Sequence, residues 1–272
     1  MTLDAINLGI IGGGVMAEAI ASRLLAGNIY PATTILVSEP QSQRQEYWQQ
    51  HYGVKVTADN STVLKTSPVI LLAIKPQILD QVTEQLDLSL NLTSPPLIIS
   101  ILAGVTLNKL ESAFVGFPVI RVMPNTPATV GEGMSAIASG TKVKPSHLEE
   151  AKQIFSAVGE VVEVPEYQMD AVTGLSGSGP AYVAIMIEAL ADGGVAVGLP
   201  RAIALQLAIQ TVLGTATLLK ESDLHPAQLK DRVSSPGGTT IAGVAALERH
   251  GFRAAAMEAV KASYNRSQEL GK

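Results

Sequence analysis

Cysteine is missing from all 272 residues. Its absence excludes disulfides, thiolate catalysis and cysteine metal sites, and it fits a reducing compartment, so a cytoplasmic location is expected. Charge is sparse as well: 16% of residues are Asp, Glu, Lys or Arg, the formal net charge is −5, and no basic cluster occurs. That argues against nucleic acid as a main partner. The four histidines, His51, His147, His225 and His250, are scattered without metal-ligand spacing, and no metal is expected. The N-terminus lacks the serial basic segment, apolar run and small-residue cleavage site of a signal peptide. The long apolar region from Ala181 to Leu219 is interrupted by Glu188, Asp192, Arg201 and Gly193-Gly194. A membrane span needs about 18 or more apolar residues with few or no charges, so this region predicts a buried helical core and no membrane partner.

Apolar side chains are plentiful, at 47% of the chain, enough for a sizeable core in one large domain or two smaller ones. Ile6 to Ile11 is a short β-rich run that ends in Gly12-Gly13-Gly14. Val15 to Leu25 then carries helical apolar spacing, closed by Gly27-Asn28. Strand, glycine turn and helix open a dinucleotide-binding βαβ unit, and Gly12-x-Gly14-x-x-Ala17 matches its fingerprint. Gly12 permits the turn, Gly14 lets the backbone approach a diphosphate, and Ala17 keeps the helix close to the sheet. A purely structural glycine turn is the alternative.

Thr34 to Val37 reads as the second strand, with Ser38-Glu39-Pro40 at its carboxyl end. A carboxylate there accepts hydrogen bonds from adenosine ribose hydroxyls and repels a 2′-phosphate, which favours NADH; Arg44 nearby offsets this. A solvated loop glutamate is the competing interpretation. Val69 to Ile74, Leu97 to Ile101 and Val119 to Met123 are nearly pure apolar runs, the pattern of parallel strands buried on both faces. They end at Lys75-Pro76 (where a helix Gln77 to Leu86 begins), at Ala103-Gly104, and at Pro124-Asn125-Thr126-Pro127. Ligands in open α/β sheets lie beyond the carboxyl ends of strands, so these ends should share one crevice. Lys75 and Asn125 either contact nicotinamide or substrate there or hold loop geometry.

Met134 to Ala138 and Val161 to Val164 read as late strands flanking a helix Ser146 to Val158. Beyond Pro165 no convincing β run remains, and Gly177, Gly179, Pro180, Gly198, Pro200 and His225-Pro226 punctuate a series of helices. Two domains follow, residues 1–164 and 165–272. The helices of the second are rich in alanine and apolar on more than one face, which suggests burial against a second subunit. Within it, Ser234-Ser235-Pro236-Gly237-Gly238-Thr239-Thr240 leads into the helical run Ile241 to Leu247. Thr239 and Thr240 are good N-cap types, and a glycine turn that feeds a helix N-terminus leaves N–H groups ready for a phosphate or carboxylate. An ordinary helix cap would look the same.

Five strings occur together: Ile11-Gly12-Gly13-Gly14-Val15-Met16-Ala17-Glu18-Ala19-Ile20, Ala73-Ile74-Lys75-Pro76-Gln77, Arg121-Val122-Met123-Pro124-Asn125-Thr126-Pro127, Leu175-Ser176-Gly177-Ser178-Gly179-Pro180-Ala181-Tyr182, and the Ser-Ser-Pro-Gly-Gly-Thr-Thr stretch. In this order and at these separations the chain resembles the pyrroline-5-carboxylate reductase family nearly end to end. The resemblance implies an α/β fold, an N-terminal Rossmann-type doubly wound sheet followed by an all-helical C-terminal dimerisation domain. It implies reduction of the C=N bond of Δ1-pyrroline-5-carboxylate to L-proline with NADPH or NADH, in a homodimer that in some members is built into a larger ring of dimers.

Carried over residue by residue, Ser235, Gly238 and Thr239 hold the substrate carboxylate, largely through backbone N–H groups, and Thr240 places its hydroxyl near the ring nitrogen as catalytic hydrogen-bond partner or proton relay. Ile11, Gly12, Gly13, Gly14, Val15 and Met16, with Ser38, Glu39, Asn60, Ala73, Ile74, Lys75, Pro76, Ala103 and Gly104, line the cofactor, and Asn125 borders the substrate. An imine is basic enough to take its proton from water or a hydroxyl network, so no dedicated histidine or lysine is required, and catalysis rests on holding two carbons in line and close. Glu39 departs from the family pattern, which often has a small hydroxyl residue beside the 2′-phosphate, and weakened discrimination or a lean toward NADH is expected. A β-hydroxyacid dehydrogenase would place a catalytic lysine on a helix of the second domain, but Lys220, Lys230 and Lys261 lack the glycine-rich setting for it. A regulatory protein that binds cofactor without turnover would have little need of Ser235 and Thr240.

Overall fold

The computed structural model describes residues 5–86, 88 and 94–271, and the chain divides into two compact units, residues 1–177 with 263–272, and residues 178–262. In the first unit the order is β1 (Leu8–Ile11), α1 (Val15–Ala26), β2 (Ile35–Ser38), α2 (Ser42–Tyr52), β3 (Lys55–Thr57), α3 (Asn60–Thr66), β4 (Val69–Leu72), α4 (Leu79–Glu84), β5 (Leu97–Ser100), α5 (Leu107–Ala113), β6 (Val119–Met123), β7 (Gly133–Ser139), α6 (Pro145–Ser156), β8 (Gly159–Glu163) and α7 (Met169–Val172). The strands form one sheet in the order β3-β2-β1-β4-β5-β6-β7-β8. Neighbours pair in parallel except β6 and β7, which are antiparallel. Chain direction away from β1 reverses between β2 and β4, so the switch point lies at the carboxyl end of β1, beside the glycine turn.

β1, β2, β4 and β5 are buried along their whole length, as expected of strands covered on both faces. Alternate residues feed two cores. Leu8, Ile10, Val37, Leu71, Ile99 and Val122 pack with Ile20 and Leu24 of α1 and Ile154 and Phe155 of α6. Ile11, Leu36, Ile70, Leu72 and Ile98 pack on the other side with Val63 of α3, Leu79 of α4 and Leu110 of α5. The strand expected over Val69 to Ile74 stops at Leu72, and Ala73 and Ile74 form the loop at its end. The helix expected over Gln77 to Leu86 begins instead as a single 3-10 turn, Pro76–Ile78, and its α-helical part is Leu79–Glu84.

The second unit is helical. It contains α8 (Gly179–Ala196), α9 (Arg201–Glu221), α10 (Pro226–Arg232), α11 (Thr239–Arg249) and most of α12 (Phe252–Leu270), the end of which belongs to the first unit. α8 and α9 pack through small residues, Ala191 against Ala204 and Ala208, with Gly194 facing the Ala204 methyl. Large side chains on the same helices are exposed in the protomer, among them Ile185, Ile203, Leu207 and Leu213. Taken alone, α9 is long and apolar enough to cross a membrane by length and composition, with a mean hydropathy of 1.7.

Candidate active site

The glycine turn follows β1 directly. The Gly12 N–H donates to the Ser38 carbonyl at 2.9 Å and the Ala73 N–H to the Ile11 carbonyl at 2.9 Å, so the ends of β1, β2 and β4 are tied at one level. Gly12 sits at φ +98°, and a Cβ there would meet the Ala73 carbonyl oxygen at 2.7 Å. Only glycine serves both conditions. Gly14 is the N-cap of α1 and offers no side chain to it, and a Cβ at Gly14 would find no atom within 4 Å. The first N–H groups of α1 therefore face open space, the arrangement that receives a diphosphate. Val15, at the first helical position, is 75% exposed, unusual for an apolar side chain beside the core and suited to cover by a ligand.

The expected cofactor residues Ile11, Gly12, Ser38, Asn60 and Ile74 line one cleft of about 230 Å³. Pro40, Ala58, Ile78 and Gln81 line it too, none of which the sequence pointed to. Ser38 is buried and its hydroxyl donates to the Asn60 side-chain oxygen at 2.7 Å, while the Asn60 amide donates to Gln85 at 3.1 Å. Lys75 is exposed at the end of β4, and Pro76 opens the 3-10 turn behind it. Ala103 and Gly104 follow β5, with Gly104 at φ +75°. The residues present therefore fit a dinucleotide: a bare helix N-terminus, a glycine without neighbours, and aligned strand ends.

Gly13 is held from both sides. Its N–H donates to Glu39 Oε2 at 3.0 Å, and its carbonyl accepts from Arg44 Nε at 2.7 Å and Trp48 Nε1 at 3.1 Å. Glu39 is buried, and its other oxygen accepts the Gln41 N–H at 3.0 Å. The glutamate is therefore no solvated loop residue but part of the glycine turn's frame. Asn125 is likewise engaged, its oxygen accepting the Met134 N–H at 2.8 Å and its amide donating to the Ser176 carbonyl at 3.0 Å.

In the second unit, the turn before α11 has the expected form with its cap one residue earlier than the sequence suggested. Gly238, not a threonine, is the N-cap, and Thr239 and Thr240 take the first two helical positions. Gly238 takes the extended backbone of an N-cap, φ −80° and ψ 177°, and its N–H closes a turn onto the Ser235 carbonyl at 3.0 Å. The turn also requires Gly237 at φ +66°. With no capping side chain, the leading N–H groups of the 11-residue helix are open, beside the exposed Ser235 and Thr239 and the half-buried Thr240.

Distant pairings escaped the sequence altogether. Arg121 on β6 is buried and pairs with Glu166 at 2.6 Å; the same carboxylate oxygen accepts the Leu107 N–H at 3.0 Å. Ser267, near the chain's end, donates to Asp170 at 2.6 Å. Among the described residues no group of three or more His, Cys, Asp or Glu is placed to hold a metal.

A glycine turn at the switch point of a mostly parallel sheet, followed by a helical unit, defines the class as a nicotinamide-dinucleotide oxidoreductase of Rossmann type. Residues 7–104 match the description NADP oxidoreductase coenzyme F420-dependent, and residues 166–270 match pyrroline-5-carboxylate reductase dimerisation. The chain belongs to the pyrroline-5-carboxylate reductase family. It is 62% identical to the pyrroline-5-carboxylate reductase of Synechocystis over 98% of this chain and 99% of that one. Identity to the pyrroline-5-carboxylate reductase of Methanosarcina acetivorans is 47%, covering 98% of both. The structure of a pyrroline-5-carboxylate reductase from Coxiella burnetii superimposes with a TM-score of 0.91 at 34% identity, over 99% of this chain and 100% of that one. That of Plasmodium falciparum pyrroline carboxylate reductase with NADP bound gives 0.87 at 33% identity, over 99% and 100%.

Proposed function

We propose that this chain is an NAD(P)H-dependent reductase that converts Δ1-pyrroline-5-carboxylate to L-proline, the last step of proline biosynthesis. The observation that carries the assignment is the bare N-terminus of α11 behind Ser235 and Gly238, which suits a carboxylate with a hydroxyl next to it, in a chain whose α1 is bare in the same way. Residues 1–164 serve as the dinucleotide domain and 165–272 as the dimerisation and substrate domain.

The reduced nicotinamide, when bound, supplies the hydride for the imine carbon. The chain's own residues bind and orient. Gly14, Val15 and Met16 present N–H groups to the diphosphate, with Ile11, Gly12, Ser38, Asn60, Ala73, Ile74, Lys75, Pro76, Ala103 and Gly104 along its path. Gly13 and Glu39 hold the turn in shape and keep a negative charge at the end of β2, which opposes a 2′-phosphate and weakens preference for NADPH. Ser235, Gly238 and Thr239 fix the substrate carboxylate through backbone N–H groups. The Thr240 hydroxyl stands at the ring nitrogen as hydrogen-bond partner or as relay for a proton drawn from water, and Asn125 borders the substrate.

The working form is a homodimer, since the helical unit matches the family's dimerisation region. A larger ring of dimers, a cytoplasmic location, and the absence of nucleic-acid and membrane partners complete the proposal. Following oxidation of NADH and NADPH in parallel on adding Δ1-pyrroline-5-carboxylate tests it. Turnover with comparable efficiency for both, or better for NADH, is the expected result. Cofactor binding without turnover would replace the reductase with a regulatory protein.

A further inference from the structure

Next to the glycine turn stands a cation that the proposed chemistry does not use. Arg44, in the first turn of α2, donates Nε to the Gly13 carbonyl at 2.7 Å, and its guanidinium lies over the Tyr47 ring, 4.5 Å from the centroid. Its Nη2 is paired with Glu18 Oε2. The other oxygen of Glu18 accepts two phenols, Tyr47 at 2.7 Å and Tyr52 at 2.8 Å. Burial alone would raise the Glu18 pKa, but the arginine and the two phenols outweigh it and hold the carboxyl below its usual range. Glu18 is therefore an anion at neutral pH and keeps its hold on the guanidinium.

The Gly13 peptide thus has a carboxylate on its N–H side and a sequestered guanidinium on its carbonyl side. A ribose 2′-phosphate belongs at the carboxyl end of β2, where a nearby arginine accommodates it in NADP-binding members of this fold class. Arg44 is bonded to the very turn that such a dinucleotide spans, yet its charge is already met by the Glu18 carboxylate at Nη2. We propose that Glu18 determines dinucleotide selectivity: it withholds Arg44 from the 2′-phosphate, so that Glu39 repels the extra phosphate and no cation answers for it. The inference rests on the dinucleotide-binding part of the proposed function, and it assigns a role to a residue on the far side of the turn.

The test measures binding of NAD⁺ and NADP⁺ to the full-length protein by titration calorimetry, with turnover recorded separately. E18Q keeps an acceptor for the phenols but drops the charge, and releases Arg44. NADP⁺ binding should tighten by about tenfold relative to NAD⁺, the scale of a new charge-assisted hydrogen bond. In E18Q combined with R44A the gain should vanish, because the guanidinium mediates it. R44A alone should weaken both dinucleotides by the same factor. This variant decides the matter even if E18Q fails to fold: a selective loss of NADP⁺ in R44A would mean that Arg44 already serves the phosphate, overturning the proposal. Equal changes for both dinucleotides in E18Q would overturn it too. Absent turnover with selective binding intact would end the reductase assignment and leave Glu18's role standing. Absence of binding by either dinucleotide would end both.

Discussion

Replacing Gly12 and Gly14 by alanine, one at a time, separates the two tasks of the glycine turn. At Gly12, φ is +98°, and an added Cβ would lie 2.7 Å from the Ala73 carbonyl oxygen and 2.9 Å from its carbon. Both are backbone atoms on the neighbouring strand end, so the edge between β1 and β4 has to move. The left-handed conformation costs alanine about 1–2 kcal/mol. Forcing packed backbone apart adds about 1–3 kcal/mol. A total of about 3 kcal/mol lowers Tm by roughly 6–12 °C in a domain of this size. At Gly14 the backbone is ordinary, φ −75° and ψ −175°, and nothing lies within 4 Å of a Cβ. Alanine there loses a little as an N-cap and gains a little by restricting the unfolded chain, each about 1 kcal/mol or less, and Tm moves by no more than about 3 °C. Its methyl nevertheless stands where a diphosphate must approach α1, so dinucleotide affinity should fall at least about tenfold. Thermal melts paired with NADPH titrations read the two effects. A Gly12→Ala protein that melts with the parent, or a Gly14→Ala protein that binds NADPH undiminished, would refute the steric account.

Three further outcomes are expected. Thr240→Val should lower turnover by about 10- to 100-fold, most strongly at high pH where hydronium is scarce, with little change in the Kd of the dinucleotide; near-normal turnover across the pH range would remove Thr240 from proton transfer. Arg121→Met leaves the Glu166 carboxylate without its buried partner and should cost about 3 kcal/mol by urea denaturation, whereas a loss below about 1 kcal/mol would show the pair to be dispensable. Leu213→Glu, at a position 55% exposed on α9 in the protomer, should shift the protein from dimer to smaller species in analytical ultracentrifugation; an unchanged sedimentation profile would place the dimer interface elsewhere.

The parts of the first unit that the sequence made legible are those where one residue type answers one physical demand. β1, β4, β5 and β6 are short apolar runs because both faces are covered, and Gly12 marks a turn that only glycine can make. α2 was not legible: its sequence SQRQEYWQQHY is polar almost throughout, and Trp48 is its one buried residue. Nor was β3, three half-buried residues at the sheet's edge. The antiparallel pairing of β7 with β6 depends on strand order, which periodicity does not encode. At the site, the identity of Glu39 was visible but not its engagement, since that depends on the direction of the Gly13 and Gln41 N–H groups. The Arg121–Glu166 pair joins residues 45 apart in sequence, and nothing in either neighbourhood marks it. The cap at Gly238 shows the same limit in miniature: propensity favoured a threonine, and the extended backbone of the turn onto Ser235 falls one residue earlier.

The second unit carries the remaining step from stability to function. Of residues 178–262, only Ala191, Ala204 and Ala208 are buried hydrophobics within the protomer. Three alanines do not make a core that holds five helices, so the unit's stability has to come from outside the protomer. Residues 202–219 of α9 contain no charged side chain, and only 11% of that span is buried. Composition by itself would admit a bilayer as the missing cover. The pattern of small residues between α8 and α9 and large exposed ones elsewhere also suits a second copy of the same surface, and the match of residues 166–270 to the family's dimerisation region selects that cover. Folding of this unit and assembly are then one equilibrium, and apparent stability depends on protein concentration. The carboxylate site proposed at α11 lies within this unit, so dilution that separates the copies should extinguish turnover while leaving the sheet domain able to bind a dinucleotide. Activity that scales linearly with concentration far below the dimer's dissociation constant would contradict that coupling.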